Sequence, residues 1–571
     1  MPLLATEHIP IPTKDIISWC YDNREAFDQD KPIYVDAADP SRSISATQAY
    51  KLIRQLVAGF QAAGLKKGDV VCLHSFNNLY YPILVQGIVA AGGAFVGTNP
   101  SYTPFELAHA LKTSKARFVI AEPEILSAPK TAALELGMPK ERILLLAAPE
   151  ECEGYEHASW MSLLEHGEQD WVRFDDEQTA KDTAAFLMFS SGTTGSSRVL
   201  SSSIDQALIH LPGLPKAAVQ SHYNLIAEHT LVHENPKHKE PYHMSRVVCL
   251  PMFHTAIAPF VHITTLRSGR ESYIMKRFAL REYLEYMKRF QITNALLVPP
   301  MIIAVVNAAA ASPEQEKWVR ECLSSVVHAV GGGAPVDREI QARLQTLLPP
   351  ESVVTQVWAM TETTCVASAF YYPESDSTGS TGRFMPNLDV KIVDPDTDSD
   401  GPEVGPYDVR GELCIRGPTV IKGYLDNPEA NARDWDEEGF FHTGDIVYCD
   451  SKTKLWYVVD RRKELIKVRG FQVAPSEIEG VLLSHPLVKD AAVIGVVRGE
   501  AGELPRAYVV VEAGKTLTEE EVRSWVGEKL ARYKQVEGGV KFVESIPKTV
   551  SGKILKRVLK EEAKRELSAS L

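Results

Sequence analysis

The stretch Phe189-Ser190-Ser191-Gly192-Thr193-Thr194-Gly195 closes an apolar run that begins at Thr183. Hydroxyls and glycines in this order suit an anion. Glycine lets successive backbone N–H groups converge on one point, and Ser and Thr add donors. Such a turn holds phosphate best when a lysine follows closely and supplies full charge. Here the lysine, Lys216, arrives only after Leu214-Pro215, well beyond the turn. A second candidate cation is Lys553, on a Ser551-Gly552-Lys553 turn, where a flexible ammonium could reach both a carboxylate and a phosphate. Taken singly, each signal is ambiguous: a Ser/Thr/Gly-rich loop is more often just a loop, and a lone lysine is more often a surface lysine.

The remaining motifs remove the ambiguity. In order along the chain stand Leu250-Pro251-Met252-Phe253-His254, Gly331-Gly332-Gly333-Ala334-Pro335 and Trp358-Ala359-Met360-Thr361-Glu362. Gly411-Glu412-Leu413, Arg416-Gly417-Pro418, Thr443-Gly444-Asp445, Asp460 to Lys467, Gly470-Phe471-Gln472-Val473 and Pro547-Lys548 follow. Together with Asn99 to Pro104 and Val298-Pro299-Pro300, this succession resembles the adenylate-forming superfamily of acyl-CoA synthetases, luciferases and peptide-synthetase adenylation domains. It is most similar to 4-coumarate–CoA ligase-like members.

The resemblance implies a two-step reaction with ATP, Mg²⁺ and coenzyme A. A carboxylate attacks the α-phosphate of ATP to give an acyl-adenylate and pyrophosphate, and a thiol then displaces AMP. Both steps develop negative charge, so donors and cations should dominate the site. By resemblance, Ser190 to Gly195 with Lys216 hold the β- and γ-phosphates. Thr361 bonds the α-phosphate, and Glu362 holds Mg²⁺ through oxygen. Gly333, Ala334 and Pro335 pack on adenine, with Gln356 beside the nucleotide, and Asp445 with Arg461 takes the ribose. Lys553 serves adenylation. Lys467, Arg469, Gly470 and Gln472 join a second arrangement, reached by rotation about Lys463, in which Gly470 lines the pantetheine path. Arg277 stands where related ligases contact the nucleotide of CoA. His254 gates the carboxylate and thiol; a histidine after an apolar segment can equally be a satisfied core residue.

Departures from the pattern bear on the acid. Ala256 stands where plant ligases place a tyrosine against the phenol hydroxyl, and Phe260 replaces a small polar residue. A pocket without its hydroxyl partner discriminates poorly in favour of a hydroxylated acid. Less polar aryl or medium-chain acids are therefore expected. Trp358-Ala359 replaces the usual Tyr-Gly at the pocket floor, where a tryptophan could equally be core. Residues 196–213 form an apparent insertion whose removal restores Ser-Ser-Gly-Thr-Thr-Gly-Leu-Pro-Lys without a seam. Gly195 and Gly213 could carry splice junctions in one codon phase, so a retained intron and a genuine loop both stand. A real insertion that disrupts the phosphate loop would leave a non-catalytic nucleotide-binding homologue.

These residues need a scaffold. Apolar runs at Val70 to His74, Phe118 to Ala121, Ile143 to Leu146, Ala295 to Val298 and Ser325 to Val330 alternate with amphipathic stretches. That predicts an α/β architecture with buried sheets. Tyr81 to Gly97 reads as a buried helix and turn, and Pro386 to Gly411 as turns in a β-rich subdomain. The expectation is an α/β fold. A large multi-subdomain N-terminal domain spans 1–459, a hinge 460–463, and a small, mobile α+β C-terminal domain 464–571. Thr518 with Glu521 fits a capping box at a helix start. The tail Lys553 to Leu567 reads as a solvated helix.

A chain of 571 residues exceeds one core. Hydrophobic residues make up 44% and charged residues 24%, an ordinary globular composition, and the net charge of −13 argues against nucleic-acid binding. Small-molecule acid, ATP and CoA are the expected partners; the sequence does not fix an oligomeric state. The eight cysteines show neither metal-like nor disulfide-dense spacing, which fits a reducing compartment. No segment reads as a membrane span, and a cytoplasmic location is expected. Ala569-Ser570-Leu571 partly resembles the Ser-Lys-Leu peroxisomal address, with Ser570 where a basic residue belongs.

Overall fold

A computed structural model describes residues 2–190, 215–238, 240–395, 404–468, 471–497, 503–530, 532–549 and 552–569. Its centre is a six-stranded sheet. In spatial order the strands are Ile143–Leu145, Ala116–Ala121, Val70–His74, Ala94–Thr98, Ala184–Ser190 and Lys216–Ser221. The first five run parallel, and the last returns antiparallel. Val70–His74 and Ala94–Thr98 are buried along their whole length because helices cover both faces. Two of those helices start on capping boxes, Ser45 with Gln48 and Thr103 with Glu106, which satisfy orphan N–H groups. Tyr81 to Gly97 opens as the buried helix Tyr81–Ala90 and turns at Ala91–Gly92, and its last part belongs to the strand Ala94–Thr98.

A second parallel sheet, Asn294–Leu297, His328–Gly331 and Val353–Gln356, ends at the triple-glycine turn. The β-rich subdomain is an antiparallel meander of Asp389–Val393, Gly411–Arg416, Phe441–Cys449 and Trp456–Arg461, with its own core around Leu413, Ile415 and Val447. The C-terminal unit packs Pro475–Leu483 and Glu519–Lys529 on the strand pair Val488–Val497 and Glu503–Val511, around Ile478, Leu482 and Val526. The Thr518–Glu521 capping box is present, and the final helix is Lys556–Ala569. Among the described residues, no helix is long and apolar enough to cross a membrane.

Candidate active site

Ser190, the first residue of the hydroxyl- and glycine-rich stretch, ends a strand. In the antiparallel pair Ala184–Ser190 and Lys216–Ser221, Ser190 lies directly opposite Lys216. Lys216 is therefore held in register across whatever chain joins the strands. Ser191, Gly192, Thr193, Thr194, Gly195 and the segment 196–213 lie outside the described residues. The Lys216 ammonium bonds Asp434 Oδ2 at 2.9 Å and sits 3.8 Å above the Tyr424 ring. The Tyr424 hydroxyl donates to Glu362 Oε1 at 2.8 Å. Burial and the Glu362 charge hold that phenol protonated.

Thr361 and Glu362 sit on a turn braced from several sides. Gln220, from the hairpin strand, donates to the Thr361 carbonyl at 3.0 Å and to Thr255 Oγ1 at 3.3 Å. Ile421 N–H bonds the Glu362 carbonyl, and Thr364 Oγ1 donates to the Thr419 carbonyl at 2.6 Å. Thr364 has φ of 62°, a left-handed conformation that a β-branched residue adopts only when its surroundings enforce it. Glu362 is a hard oxygen donor, linked to Lys216 through the Tyr424 ring. One buried carboxylate fits Mg²⁺, which takes one or two carboxylates and completes its shell with phosphate and water oxygens.

Asp445 and Arg461 face each other on adjacent strands, with Arg461 Nε 3.0 Å from Asp445 Oδ1. Asp445 Oδ2 accepts the indole N–H of Trp358 at 2.8 Å. Each carboxylate oxygen keeps a lone pair for a ribose hydroxyl. The Trp358 indole is thus tied to Asp445. Its ring packs in the β-rich core and edge-on to Phe384. The Gln356 amide bonds both backbone groups of Val336 and the Gln341 side chain, and so braces the glycine turn 331–335. Gly333 and Pro335 in that turn are exposed, and Ala334 is half-buried.

Lys553 comes to these groups from the C-terminal unit. Its turn is closed by Thr549, which accepts Lys553 N–H through Oγ1 and bonds the Lys553 carbonyl through its own N–H. Gly552, at φ of 83°, lies against the Val298-Pro299-Pro300 motif so closely that a Cβ would stand 2.7 Å from Pro300 Cγ. The ammonium sits within the field of Arg461, Asp445 and Glu362. Burial, then Arg461, press its pKa down to about 8 against the pull of Glu464, Asp445 and Glu362.

His254 is half-buried and accepts Ala256 N–H on Nδ1 at 3.1 Å. Its proton is therefore assigned to Nε2. Burial and the neighbouring Lys553 charge lower its pKa to about 4, so the ring is neutral at ordinary pH. Gly97 permits this loop to lie down: a Cβ there would stand 2.4 Å from Phe253 Cβ. Ala256 and Ala359 are half-buried. Phe260 is buried, its ring under the Arg246 guanidinium at 4.1 Å. It opens a π-helical turn, Phe260–Thr264, a geometry found often at functional sites.

Other expected residues stand apart. Lys467 lies on the hairpin Ile466–Val468 and Phe471–Val473, opposite Gln472, and its N–H bonds Glu503 within the C-terminal unit. Arg469, Gly470 and the Gln472 side chain lie outside the described residues. Arg277 is exposed, 5.9 Å from the Phe76 ring. Lys463 is exposed near Arg433, Asp434 and Lys216. Among the described residues, no group of three or more His, Cys, Asp or Glu side chains could hold a metal.

The AMP-binding enzyme model matches residues 22–198 and 212–425, and the AMP-binding enzyme C-terminal domain matches 477–553. The chain belongs to the AMP-binding enzyme family. The break in the first match leaves 199–211 unmatched, inside the apparent insertion. A phenylacetyl-CoA ligase of Aspergillus niger, epaB, is 47% identical over 98% of both chains. The acyl-CoA ligase azaF of the same species is 47% identical over 96% of this chain and 98% of its own. In fold the chain resembles an anthranilate CoA ligase, AuaEII, solved with anthranoyl-AMP, at TM-score 0.81 and 20% identity over 99% of each chain. Members of this family are AMP-forming acid–thiol ligases, and this chain is an ATP-dependent acid–CoA ligase that works through an acyl-adenylate.

Proposed function

We propose that the acid is a weakly polar aryl or medium-chain carboxylic acid, with phenylacetate-like acids foremost. The observation that carries this is Ala256 beside His254, a side chain with no hydroxyl of its own to bond a polar ring substituent, with Phe260 packed beneath Arg246. A relative at 47% identity named as a phenylacetyl-CoA ligase supports the same class. In this reading Lys553 bridges the attacking carboxylate and the α-phosphate, Thr361 bonds the α-phosphate, and Asp445 with Arg461 holds the ribose. Glu362 would hold Mg²⁺, which supplies positive charge to the phosphates. Neutral His254 keeps the thiol path free of a second fixed charge. Lys463 is the pivot between the N-terminal domain, 1–459, and the C-terminal domain, 464–571.

The test is pyrophosphate release over a panel of phenylacetate, hydroxycinnamate and medium-chain acids with ATP, Mg²⁺ and CoA. The chain and a form lacking 196–213 are compared. Phenylacetate-like acids are expected to give the highest kcat/KM. Preference for 4-hydroxycinnamate would overturn the assignment of the acid. Activity only in the shortened form would identify the sequence as a defective product of a working ligase gene.

A further inference from the structure

Arg246 is a buried arginine with little to hold. It opens the strand Arg246–Val248 and is only 9% exposed. Its Nε donates to Asn294 Oδ1 at 2.6 Å, and the Asn294 amide donates in turn to the Tyr242 hydroxyl at 3.2 Å. Among the described residues the guanidinium makes no other hydrogen bond and no ion pair, so Nη1 and Nη2 have no acceptor. The carboxyl groups around it are otherwise placed. Glu240 pairs with Arg270 at 3.0 Å. Glu228, on the helix His222–His233, is buried, and its Oε2 has no hydrogen-bond partner. Burial pushes the Glu228 carboxyl up to about 8, against the pull of the Val366 N–H and Arg246, so it is an acid at neutral pH. The buried Cys365 thiol lies in the field of both Glu228 and Arg246, so the two share one region of the interior. Buried polar groups left without partners are costly, and an acceptor brought by a ligand would remove that cost.

The region adjoins the expected acid pocket. The Arg246 guanidinium carbon lies 4.1 Å from the Phe260 ring centre. Phe260 follows Ala256 by about one helical turn, so His254, Ala256, Phe260 and Arg246 stand in succession. We propose that Arg246, with Glu228, binds the far end of the acid, which is apolar along its length and ends in a carbonyl or carboxylate oxygen. This rests on the reading that Ala256 and Phe260 line the acid pocket. Arg246 donates to that oxygen through its forked Nη groups, and the Glu228 hydroxyl adds a further donor. Apolar walls alone discriminate weakly between acids, whereas buried donors reject an acid that leaves them unmet.

Octanoate, 7-oxooctanoate and octanedioate share one chain and differ at its far end. Their kcat/KM for pyrophosphate release is measured with ATP, Mg²⁺ and CoA on the full chain, or on the form lacking 196–213 if the full chain is silent. At least one oxygenated acid should exceed octanoate about tenfold, the scale of one charge-assisted hydrogen bond, and the one that does identifies the acceptor. In Arg246→Met this ratio should fall to about one, with Arg246→Lys in between. The ratio is taken within one preparation, so partial unfolding does not move it. If octanoate matches both oxygenated acids in the unaltered chain, the site holds water only and the inference is overturned while the reading of the pocket stands. A preference that persists in Arg246→Met overturns it as well. If neither phenylacetate nor any of these acids is activated, the reading of the acid falls and the inference with it. Should Arg246→Met fail to fold, the ratios in the unaltered chain and in Arg246→Lys decide the question.

Discussion

Lys553 carries its positive charge only up to a pH close to the working range. Its pKa of about 8 means that the ammonium, the form that stabilises developing phosphate charge, is lost as pH rises through that value. The kcat/KM for ATP should therefore fall above pH 8, while kcat holds to higher pH because bound phosphate favours the ammonium. Lys553→Arg should remove this alkaline limb, and a limb that persisted in Lys553→Arg would refute the assignment. Lys553→Ala should cost roughly 3–4 kcal/mol in adenylation, on the order of 10²–10³ in rate. Lys553, Thr361, Glu362, Asp445 and Arg461 were readable as candidates because each sits in a short contiguous motif. Their supports were not. Tyr424 meets Glu362 across 62 positions, Gln220 meets Thr361 across 141, and Lys216 meets Asp434 across 218. Nothing local to Tyr424 or Asp434 announces a partner so distant. The partners of Gln356 and Trp358 were hidden for the same reason: Val336 and Gln341 lie 20 and 15 positions from Gln356, and Asp445 lies 87 from Trp358.

Among the elements, the turn that bears Lys553 and the strand pair of Ser190 and Lys216 are placed by opposite means. The turn depends on close contact. Gly552→Ala would drive a methyl into Pro300 and strain a positive φ. Adenylation by that variant should drop at least tenfold while the melting temperature moves little, since the turn lies at a surface between units. An unchanged rate of pyrophosphate release would show that the turn does not work in this position. The hairpin depends on pairing. Because Ser190 and Lys216 are neighbours across the strands, lengthening the connection costs mainly loop-closure entropy, about 0.6 kcal/mol per doubling. Removing 196–213 should accordingly shift the melting temperature by only a degree or two, whatever it does to activity. The buried parallel strands were legible as uninterrupted apolar runs. Ala94–Thr98 was not, because two glycines disguise it: Gly92 turns the chain at φ of 85°, and Gly97 yields space to Phe253.

Across the whole molecule, the two units meet near one buried ammonium. Lys556, three residues after Lys553, lies 3.1 Å from Glu479 and 3.3 Å from Glu464, with Asp460 close by at the end of the β-rich meander. Burial raises the Glu479 and Asp460 carboxyls, and Lys556 offsets part of that rise. Lys556→Met would leave these carboxylates uncompensated and should cost about 3–5 kcal/mol of stability. With folded pKa values above the unfolded ones, the carboxyls favour the native state when protonated, so the deficit should shrink as pH falls from 8 to 5. Chemical denaturation at the two pH values measures this; a deficit independent of pH would assign the loss to packing. The sequence located the change of texture after Asp460, but it did not show that the helix bearing Lys556 folds back to that segment.

The bond between Trp358 and Asp445 gives the molecule a built-in optical signal. If Asp445 takes the ribose as proposed, an arriving hydroxyl alters the charge felt by an indole one hydrogen bond away. Tryptophan emission should therefore change when ATP or AMP binds, without any attached dye. The change should vanish in Trp358→Phe, which leaves the other seven tryptophans as an internal control. Nucleotide entry, adenylate formation and AMP departure would then each be followed in real time on the unmodified protein.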